Sequence, residues 1–371
     1  MLGSNLTQGK KVVEFERQLA LYTGCNESVV VNSGTSALHI ACLAIGVGKG
    51  DLVWTSPITF VASINCAMYC GANIDFVDIE EESGNICAVK LESKLKDSVE
   101  NRCLPKLLIV VHLAGASCEM MKISALCKQY GVKLIEDASH AVGGKFRGYK
   151  VGSCKYSDMT VFSFHPVKVI TTGEGGAVLT NERESASLMR NMRSLGIERS
   201  RNNWVEYHGE ADWYHEQQHL GYNYRLTDIQ CTLGIRQLKR VEKFVGERRD
   251  IYERYIDALR DERLVKVIKE RDGVESACHL VIIKLQGQLA KERDKLFMHM
   301  RKNGIGVQLH YRAVYRHPLI RNYPGYKFRE LRCAEDFWRS TMSLPVYPGL
   351  KKQDQKRVLR VLREGVRCLR G

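Results

Sequence analysis

The sequence predicts an α/β fold with a largely parallel sheet, and three observations carry that expectation. Short apolar runs of strand character, such as Leu107 to His112, alternate with segments of helical period, such as Val12 to Tyr22. Several of these runs are apolar throughout rather than alternating, as strands covered on both faces are. Where a strand passes into a helix the chain places small polar residues, as in Asn32-Ser33-Gly34-Thr35-Ser36-Ala37-Leu38.

Taken in order, Val12 to Tyr22 reads as a helix, Ser28 to Val31 as a strand, and Thr35 to Ile45 as the next helix. Asp51 to Trp54 is a strand, and Pro57-Ile58-Thr59-Phe60 is expected to open a helix that runs to Tyr69. Ile74 to Val77, Leu107 to His112 and Val132 to Ile135 are further strands, with a helix over Glu119 to Tyr130 between the last two. Two short apolar runs, Val161 to Phe164 and Ala177 to Leu179, enclose a loop that contains Pro166, Lys168, Gly173, Gly175 and Gly176. A helix over Arg183 to Arg193 is followed by a polar aromatic region with Trp204, Trp213, Tyr214 and Gln217, and then by a helix ending at Leu238.

Composition becomes charged and helical from Val245, so a large domain is expected over 1–244 and a smaller one over 245–371. Within the second part, Ala277 to Leu285 and Gly306 to Tyr311 read as strands, and Ser343-Leu344-Pro345 as a turn. The basic end, Lys351 to Arg370, spaces Val358, Leu359, Val361, Leu362, Val366 and Leu369 as a packed terminal helix.

The 371 residues, with 26% charged and 44% hydrophobic, suit a folded soluble chain. Met1 to Lys11 lacks the apolar core of a signal peptide, and no run reaches the ~18 apolar residues of a membrane span, so a cytoplasmic location without membrane contact is expected. The 13 scattered cysteines without a Cys-x-x-Cys pair argue against a disulfide framework. Cys66 and Cys70 share a helix face, but no matching histidine pair accompanies them and no metal is expected. A net charge of +14 suits a polyanionic ligand. It is spread along the chain without a nucleic-acid motif, so a diphosphate-bearing small substrate or plain solubility explains it as well, and no nucleic-acid partner is expected.

Lys168 organises the chemistry. A lysine held near a strand end in a partly desolvated loop has its pKa lowered and can condense with an aldehyde, as a pyridoxal-phosphate lysine must; the alternative is a surface loop lysine. The turn into the helix at Thr35 points backbone N–H groups and the hydroxyls of Thr35 and Ser36 at one spot, which makes either a phosphate site or an ordinary capped helix. Asp137, in Glu136-Asp137-Ala138-Ser139-His140, lies where strands end, as a helix cap or as the partner of a pyridinium nitrogen. His140 is a contact for the ring's phenolic oxygen or a structural histidine. Tyr311 and Tyr315 line a cleft or merely pack.

These motifs together resemble the DegT/StrS family of nucleotide-sugar aminotransferases, from Leu6-Thr7-Gln8-Gly9 to Ser343-Leu344-Pro345-Val346-Tyr347-Pro348. The strongest stretches are Asn32 to Leu38, Glu136 to His140, Ser163-Phe164-His165-Pro166-Val167-Lys168 and Gly221-Tyr222-Asn223-Tyr224-Arg225, in family order. The resemblance implies a fold-type-I enzyme with a mostly parallel seven-stranded sheet in the large domain, a smaller α+β C-terminal domain, and pyridoxal 5'-phosphate as cofactor. It implies Lys168 and Asp137 as catalytic residues, His140 near the phenolic oxygen, Phe60 stacked on the ring, and Thr35, Ser36 and Ser163 on the phosphate. Asn223 would reach the cofactor phosphate of a neighbouring subunit in a homodimer with shared sites, and Arg225, Tyr311 and Tyr315 would face substrate.

Pro57 to Ser63, His112-Leu113-Ala114-Gly115, Ile170 to Gly176 and Trp213 to Gln218 are similar to the pseudaminic-acid branch. That branch implies amino transfer from L-glutamate to C4 of UDP-2-acetamido-2,6-dideoxy-β-L-arabino-hexos-4-ulose. Two departures bear on substrate: Leu6 follows Met1 by only five residues where the family carries a further segment, and Arg312 stands where the branch is apolar. Rival expectations are another nucleotide-linked keto sugar and an inactive regulatory homologue that only binds cofactor or sugar nucleotide. A sugar 3-dehydratase has histidine in place of the lysine, and His165 stands three positions before Lys168 rather than at it. Gly46-Val47-Gly48-Lys49-Gly50 lacks the spacing of a dinucleotide fingerprint.

Overall fold

The computed structural model describes residues 6–206, 209 and 212–369. Met1 to Asn5 of the expected N-terminal stretch, and Arg370 at the end of the expected terminal helix, lie outside them.

Seven strands form the central sheet: β1 (Glu27–Val31), β2 (Leu52–Thr55), β3 (Asn73–Phe76), β4 (Leu107–Val111), β5 (Lys133–Asp137), β6 (Met159–Ser163) and β7 (Gly176–Thr180). Their order is β1-β7-β6-β5-β4-β2-β3. β6, β5, β4, β2 and β3 run parallel, while β7 is antiparallel to both β1 and β6. The sequence Leu-Leu-Ile-Val-Val of β4 is buried at every position, as an interior strand covered by helices on both faces requires. The parallel register aligns Val111 with Asp137 and Asp137 with Val161, so the carboxyl ends of β4, β5 and β6 open at one level.

Helices α1 (Lys10–Thr23), α2 (Gly34–Ala44), α3 (Ala62–Tyr69), α4 (Ala88–Glu100), α5 (Met120–Tyr130), α6 (Arg183–Met192) and α7 (Asp228–Leu238) accompany the sheet. α2, apolar on nearly every side, is buried against the sheet, with Leu38, Ile40 and Ala41 in the core. Ser33 caps it by accepting from the Ser36 N–H at 3.0 Å. The approach of this turn to the sheet demands glycine twice. A Cβ on Gly176 would stand 2.5 Å from the Ser33 carbonyl oxygen, and one on Gly34 would stand 2.9 Å from the Ser163 Cβ.

A second core belongs to the C-terminal part. Strands β8 (Val265–Val267), β9 (Val281–Leu285) and β10 (Thr341–Leu344) pair antiparallel in that order. Val281, Ile283 and Met342 pack with Tyr255 and with Val358, Leu362 and Val366 of the terminal helix Lys352–Cys368. The division expected at 244/245 falls inside α8 (Val241–Ala258), which begins in the core of the large sheet with Val241 and ends in this second core with Tyr255. We propose α8 as the join between the two domains.

Three expected elements are corrected. Pro57 does not open a helix, which begins at Ala62; Pro57 to Thr59 form bends, and the Pro57 carbonyl accepts from the Val314 N–H at 2.8 Å. Ser343 and Leu344 belong to β10 rather than to a turn, paired through the register Ser343 to Ile282. Gly306 to Tyr311 is not a strand: Gln308 alone bridges to Ser343.

Candidate active site

At the carboxyl ends of β4, β5 and β6 lies a cavity of about 330 Å³. Thr35, Phe60, Asp137, His140, Ser163, Lys168 and Tyr311, which the sequence nominated, all line it. Its floor is Asp137, the last residue of β5 and 5% exposed. Oδ2 accepts from the Ser63 hydroxyl at 2.6 Å, and Ser63 itself lies 2.6 Å from the Thr59 hydroxyl. Oδ1 accepts from the hydroxyl and the backbone N–H of Ser139, at 2.6 and 3.2 Å. Both oxygens are therefore held and the carboxylate cannot turn.

Lys168 enters from the loop between β6 and β7. That loop is closed at its base, where Phe164 N–H donates to Gly175 and Thr172 N–H donates to Phe164, at 2.8 and 3.0 Å. Gln230 of α7 donates to the Glu174 carbonyl at 2.8 Å and ties the loop from outside. Part of the Lys168 stem is exposed, yet its amine is enclosed. Burial lowers its pKa from the ordinary 10.5 to about 8, with the Asp137 carboxylate pulling the other way. An amine so placed is unprotonated in a useful fraction near neutral pH.

The opposite wall is made of imidazoles and a phenol. His140 Nε2 lies 3.1 Å from the Tyr311 hydroxyl, and the His279 ring packs tilted behind His140 with centroids 4.5 Å apart. His310 Nδ1 lies 2.8 Å from the Ser343 hydroxyl. Burial pushes His140 and His279 well below the ordinary histidine pKa and His310 down to about 4, and the nearby Lys168 ammonium adds to each shift. All three are neutral at physiological pH. The Tyr311 phenol is pushed up by burial, then by Asp137, so it keeps its proton.

One end of the cavity is the N-terminus of α2, where Ser33, Gly34 and Thr35 meet Ser163. Eleven helical residues direct unpaired N–H groups and the positive end of the helix dipole there, which suits a phosphate. Phe60 forms a side wall 6.2 Å from the Tyr311 ring.

Four nominated residues lie elsewhere. Ser36 does not line the cavity: its hydroxyl donates to Asn32 Oδ1 at 2.7 Å and its N–H serves the Ser33 cap. Tyr315 is corrected from a substrate contact to a core residue, fully buried against Phe76 with its hydroxyl donating to Glu335 at 2.8 Å. Asn223 and Arg225 lie outside this chain's own cavity, with the Asn223 carbonyl accepting from Asn32 at 3.3 Å. Conversely, sequence reasoning passed over Ser63 and Ser139 as holders of Asp137, over His310 and Glu174 at the cavity wall, and over His279, which packs behind His140. The Asp-x-Ser spacing of Asp137 and Ser139 was a usable signal for an Asx-type bond; His279 had none.

The model of the DegT/DnrJ/EryC1/StrS aminotransferase family matches residues 1–363. The chain is 40% identical over 351 residues to the UDP-4-amino-4,6-dideoxy-N-acetyl-beta-L-altrosamine transaminase of Campylobacter jejuni subsp. jejuni serotype O:23/36 (strain 81-176), covering 95% of this chain and 88% of that one. The solved structure of Helicobacter pylori PseC, an aminotransferase involved in the biosynthesis of pseudoaminic acid, superposes with a TM-score of 0.89 at 28% identity, over 99% of this chain and 94% of that one. A sugar aminotransferase of Streptococcus pneumoniae in its PLP form gives 0.87 at 25% identity, over 98% and 93%. The cofactor is accordingly pyridoxal 5'-phosphate. The cavity fits it independently: a fixed carboxylate, an enclosed amine, an aromatic side wall and a helix N-terminus with hydroxyls sit around a space of its size.

Proposed function

The chain belongs to the DegT/DnrJ/EryC1/StrS aminotransferase family, and for this pyridoxal-phosphate-dependent sugar-nucleotide aminotransferase we propose the substrates and the residues that act on them. The amino donor is L-glutamate. The acceptor is UDP-2-acetamido-2,6-dideoxy-β-L-arabino-hexos-4-ulose, aminated at C4, a reading supported by the name of the Campylobacter relative and by the likeness to PseC. The observation that carries the catalytic reading is the desolvated amine of Lys168 sharing one cavity with the fixed carboxylate of Asp137.

When bound, the cofactor supplies the electron sink and carries the amino group between the two half-reactions. Lys168 Nζ would hold it, and the same amine is placed to take and return the proton at the reacting carbon as general base and acid. Asp137 would pair with the ring nitrogen and favour its protonated form. Ser63 and Ser139 hold that carboxylate still, so no reorganisation is needed as charge develops. His140, neutral and within hydrogen-bond distance of Tyr311, would serve the cofactor's phenolic oxygen, and Phe60 would pack against its ring. Thr35 and Ser163 with the α2 N-terminus hold the phosphate.

The working unit is a homodimer. Val205, Trp213 and Leu220 leave 71%, 76% and 83% of their surface exposed around the short pair Ile197–Glu198 and Glu216–Gln217, an apolar content that a second copy would cover. Asn223 follows this arm and would reach the phosphate of the neighbour's cofactor, with Arg225 beside it for an anionic part of substrate. A cytoplasmic location is supported by 13 cysteines that are all free, and by the lack, among the described residues, of any helix long and apolar enough to cross a membrane.

The substrate reading is tested by mass spectrometry of products from glutamate with the UDP-linked 4-keto sugar, alongside a GDP-linked 4-keto sugar. Preferential amination of the UDP-linked sugar is expected. Faster amination of the GDP-linked one would overturn the acceptor while leaving the aminotransferase standing.

A further inference from the structure

Behind the cavity floor lies a buried polar pair, His112 and Glu136, neither of which lines the cavity. Neighbouring residues of a strand point to opposite faces of its sheet, so Glu136 projects away from the side that Asp137 serves. Leu134, on the Glu136 side, packs with Leu108, Val110 and Cys118, whereas Ile135 packs with Ile109 and Leu38 on the side of α2. Glu136 is 5% exposed, and His112, the residue after β4, is completely buried. A carboxylate in such a place is costly unless it is well hydrogen-bonded, and here both oxygens are. Oε2 accepts from His112 Nε2 at 2.7 Å, and Oε1 accepts from the hydroxyls of Ser157 and Thr160 at 2.5 and 3.3 Å. The Cys118 N–H donates to His112 Nδ1 at 3.2 Å, which leaves the Nε2 proton for Glu136 and fixes the plane of the ring.

The backbone around this pair reaches both sides of the active site. The His112 N–H donates to the Asp137 carbonyl at 3.1 Å, which ties the end of β5 to the end of β4. After His112 the chain makes the single turn Leu113–Gly115, closed by the Gly115 N–H on the His112 carbonyl at 3.2 Å. The Ala114 carbonyl accepts from the His279 N–H at 2.9 Å, and the Gly115 carbonyl accepts from the Ala277 N–H at 3.1 Å. His279 in turn packs behind His140. A Cβ on Gly115 would stand 2.8 Å from the His140 carbonyl oxygen, so the turn and the wall are in direct contact. One imidazole thus stands where the Asp137 floor and the His140 wall are joined. Apolar residues of similar volume commonly hold a fold as well as a buried polar pair does, so stability alone does not account for this one.

We propose that His112 and Glu136 are positioning residues for amino transfer: the bond between them locks the end of β5 to the turn after β4, and so holds Asp137 and the His140 wall at a constant separation. They act through Asp137 and His279 and touch neither cofactor nor substrate. When the lock is broken, floor and wall drift and the ring held between them tilts, so turnover falls while the affinity for substrates is kept. The proposal rests on the reading of Asp137 and Lys168 as the cofactor site and is independent of the choice of sugar.

The test compares two cofactor-loaded variants well below their melting temperatures. Glu136→Gln keeps the volume but presents an amide donor to an imidazole that needs an acceptor, whereas His112→Gln keeps an N–H to donate to Glu136. Glu136→Gln is expected to lower kcat about tenfold or more with KM for glutamate within about twofold, and to cut the visible circular dichroism of the bound cofactor by about half, since that signal reads how the ring is oriented. His112→Gln should keep both readings within about threefold of the unchanged protein. The dichroism needs no substrate, so it separates a failure of this proposal from a failure of the substrate reading. If Glu136→Gln does not fold, the double replacement His112→Phe with Glu136→Leu leaves no stranded polar group and should show the same loss of kcat and dichroism. A folded variant that melts lower yet keeps kcat and dichroism within about twofold, or a loss confined to KM, would overturn the proposal and leave the pair a purely structural one.

Discussion

On the floor of the cavity both oxygens of Asp137 are held by Ser63 and Ser139, whereas across from it His140 and His279 each keep a buried Nδ1 with no hydrogen-bond partner. The floor comes from neighbouring strand ends and the helix beside them, all before residue 169. The wall is gathered from residues 140, 310 and 311, with His279 packed behind His140, and so from distant parts of the chain. A satisfied polar group in a buried site is fixed, because any movement strands it; an unsatisfied one can still take a new partner. The difference teaches that the floor is built to hold one unchanging group and the wall to meet ligands that change between half-reactions.

If that contrast is right, substitutions on the floor must cost far more than those on the wall. Lys168→Ala should lower turnover by roughly 10⁴-fold or more and remove the visible band of the lysine-bound cofactor, checked by steady-state kinetics and absorption. Asp137→Asn keeps the shape but cannot hold the ring nitrogen's proton by charge; kcat should fall about 10²- to 10³-fold while cofactor is retained.

The enclosed amine makes a third, thermodynamic prediction, read on cofactor-free protein. In the unfolded chain Lys168 keeps its proton to its ordinary pKa of 10.5, while the folded protein releases it at about 8. The unfolded state thus binds more protons between these values, so stability rises with pH across that window and the penalty is complete below it. The shift corresponds to at most about 3 kcal/mol. Cofactor-free Lys168→Met should therefore be the more stable protein at pH 7 in urea, with the gap closing by about pH 10.5.

On the wall, Tyr311→Phe removes one hydrogen bond from a neutral histidine and should cost about 1 kcal/mol, less than tenfold in kcat/KM. A loss as large as that of Asp137→Asn would erase the distinction between floor and wall.

The same contrast explains what could be read in the sequence. Apart from Ser63 and Ser139, which were passed over, the floor was legible because its parts are local: Ser33 to Thr35 at a strand-to-helix turn, Asp137 at a strand end, and Lys168 between two apolar runs. Each announces itself by its immediate neighbours. Of the wall only His140 and Tyr311 were nominated, because His279 and His310 are brought to His140 by the pairing of β9 with β10 and by contacts such as His279 N–H to the Ala114 carbonyl at 2.9 Å. No local pattern encodes that. Tyr315 was misplaced for a related reason: the single turn Val314–Arg316 sends it inward to Glu335, while Tyr311, four residues earlier, faces the cavity. The helix expected from Pro57 failed because a tertiary hydrogen bond from Val314 outweighed the local start signal.

The central claim is tested most directly by following the absorption spectrum of the cofactor-loaded protein through one full cycle. L-Glutamate should replace the visible band of the lysine-bound cofactor with that of the amino form, and the UDP-linked 4-keto sugar should then restore it. A band that glutamate leaves unchanged, or that no 4-keto sugar nucleotide restores, would contradict the account.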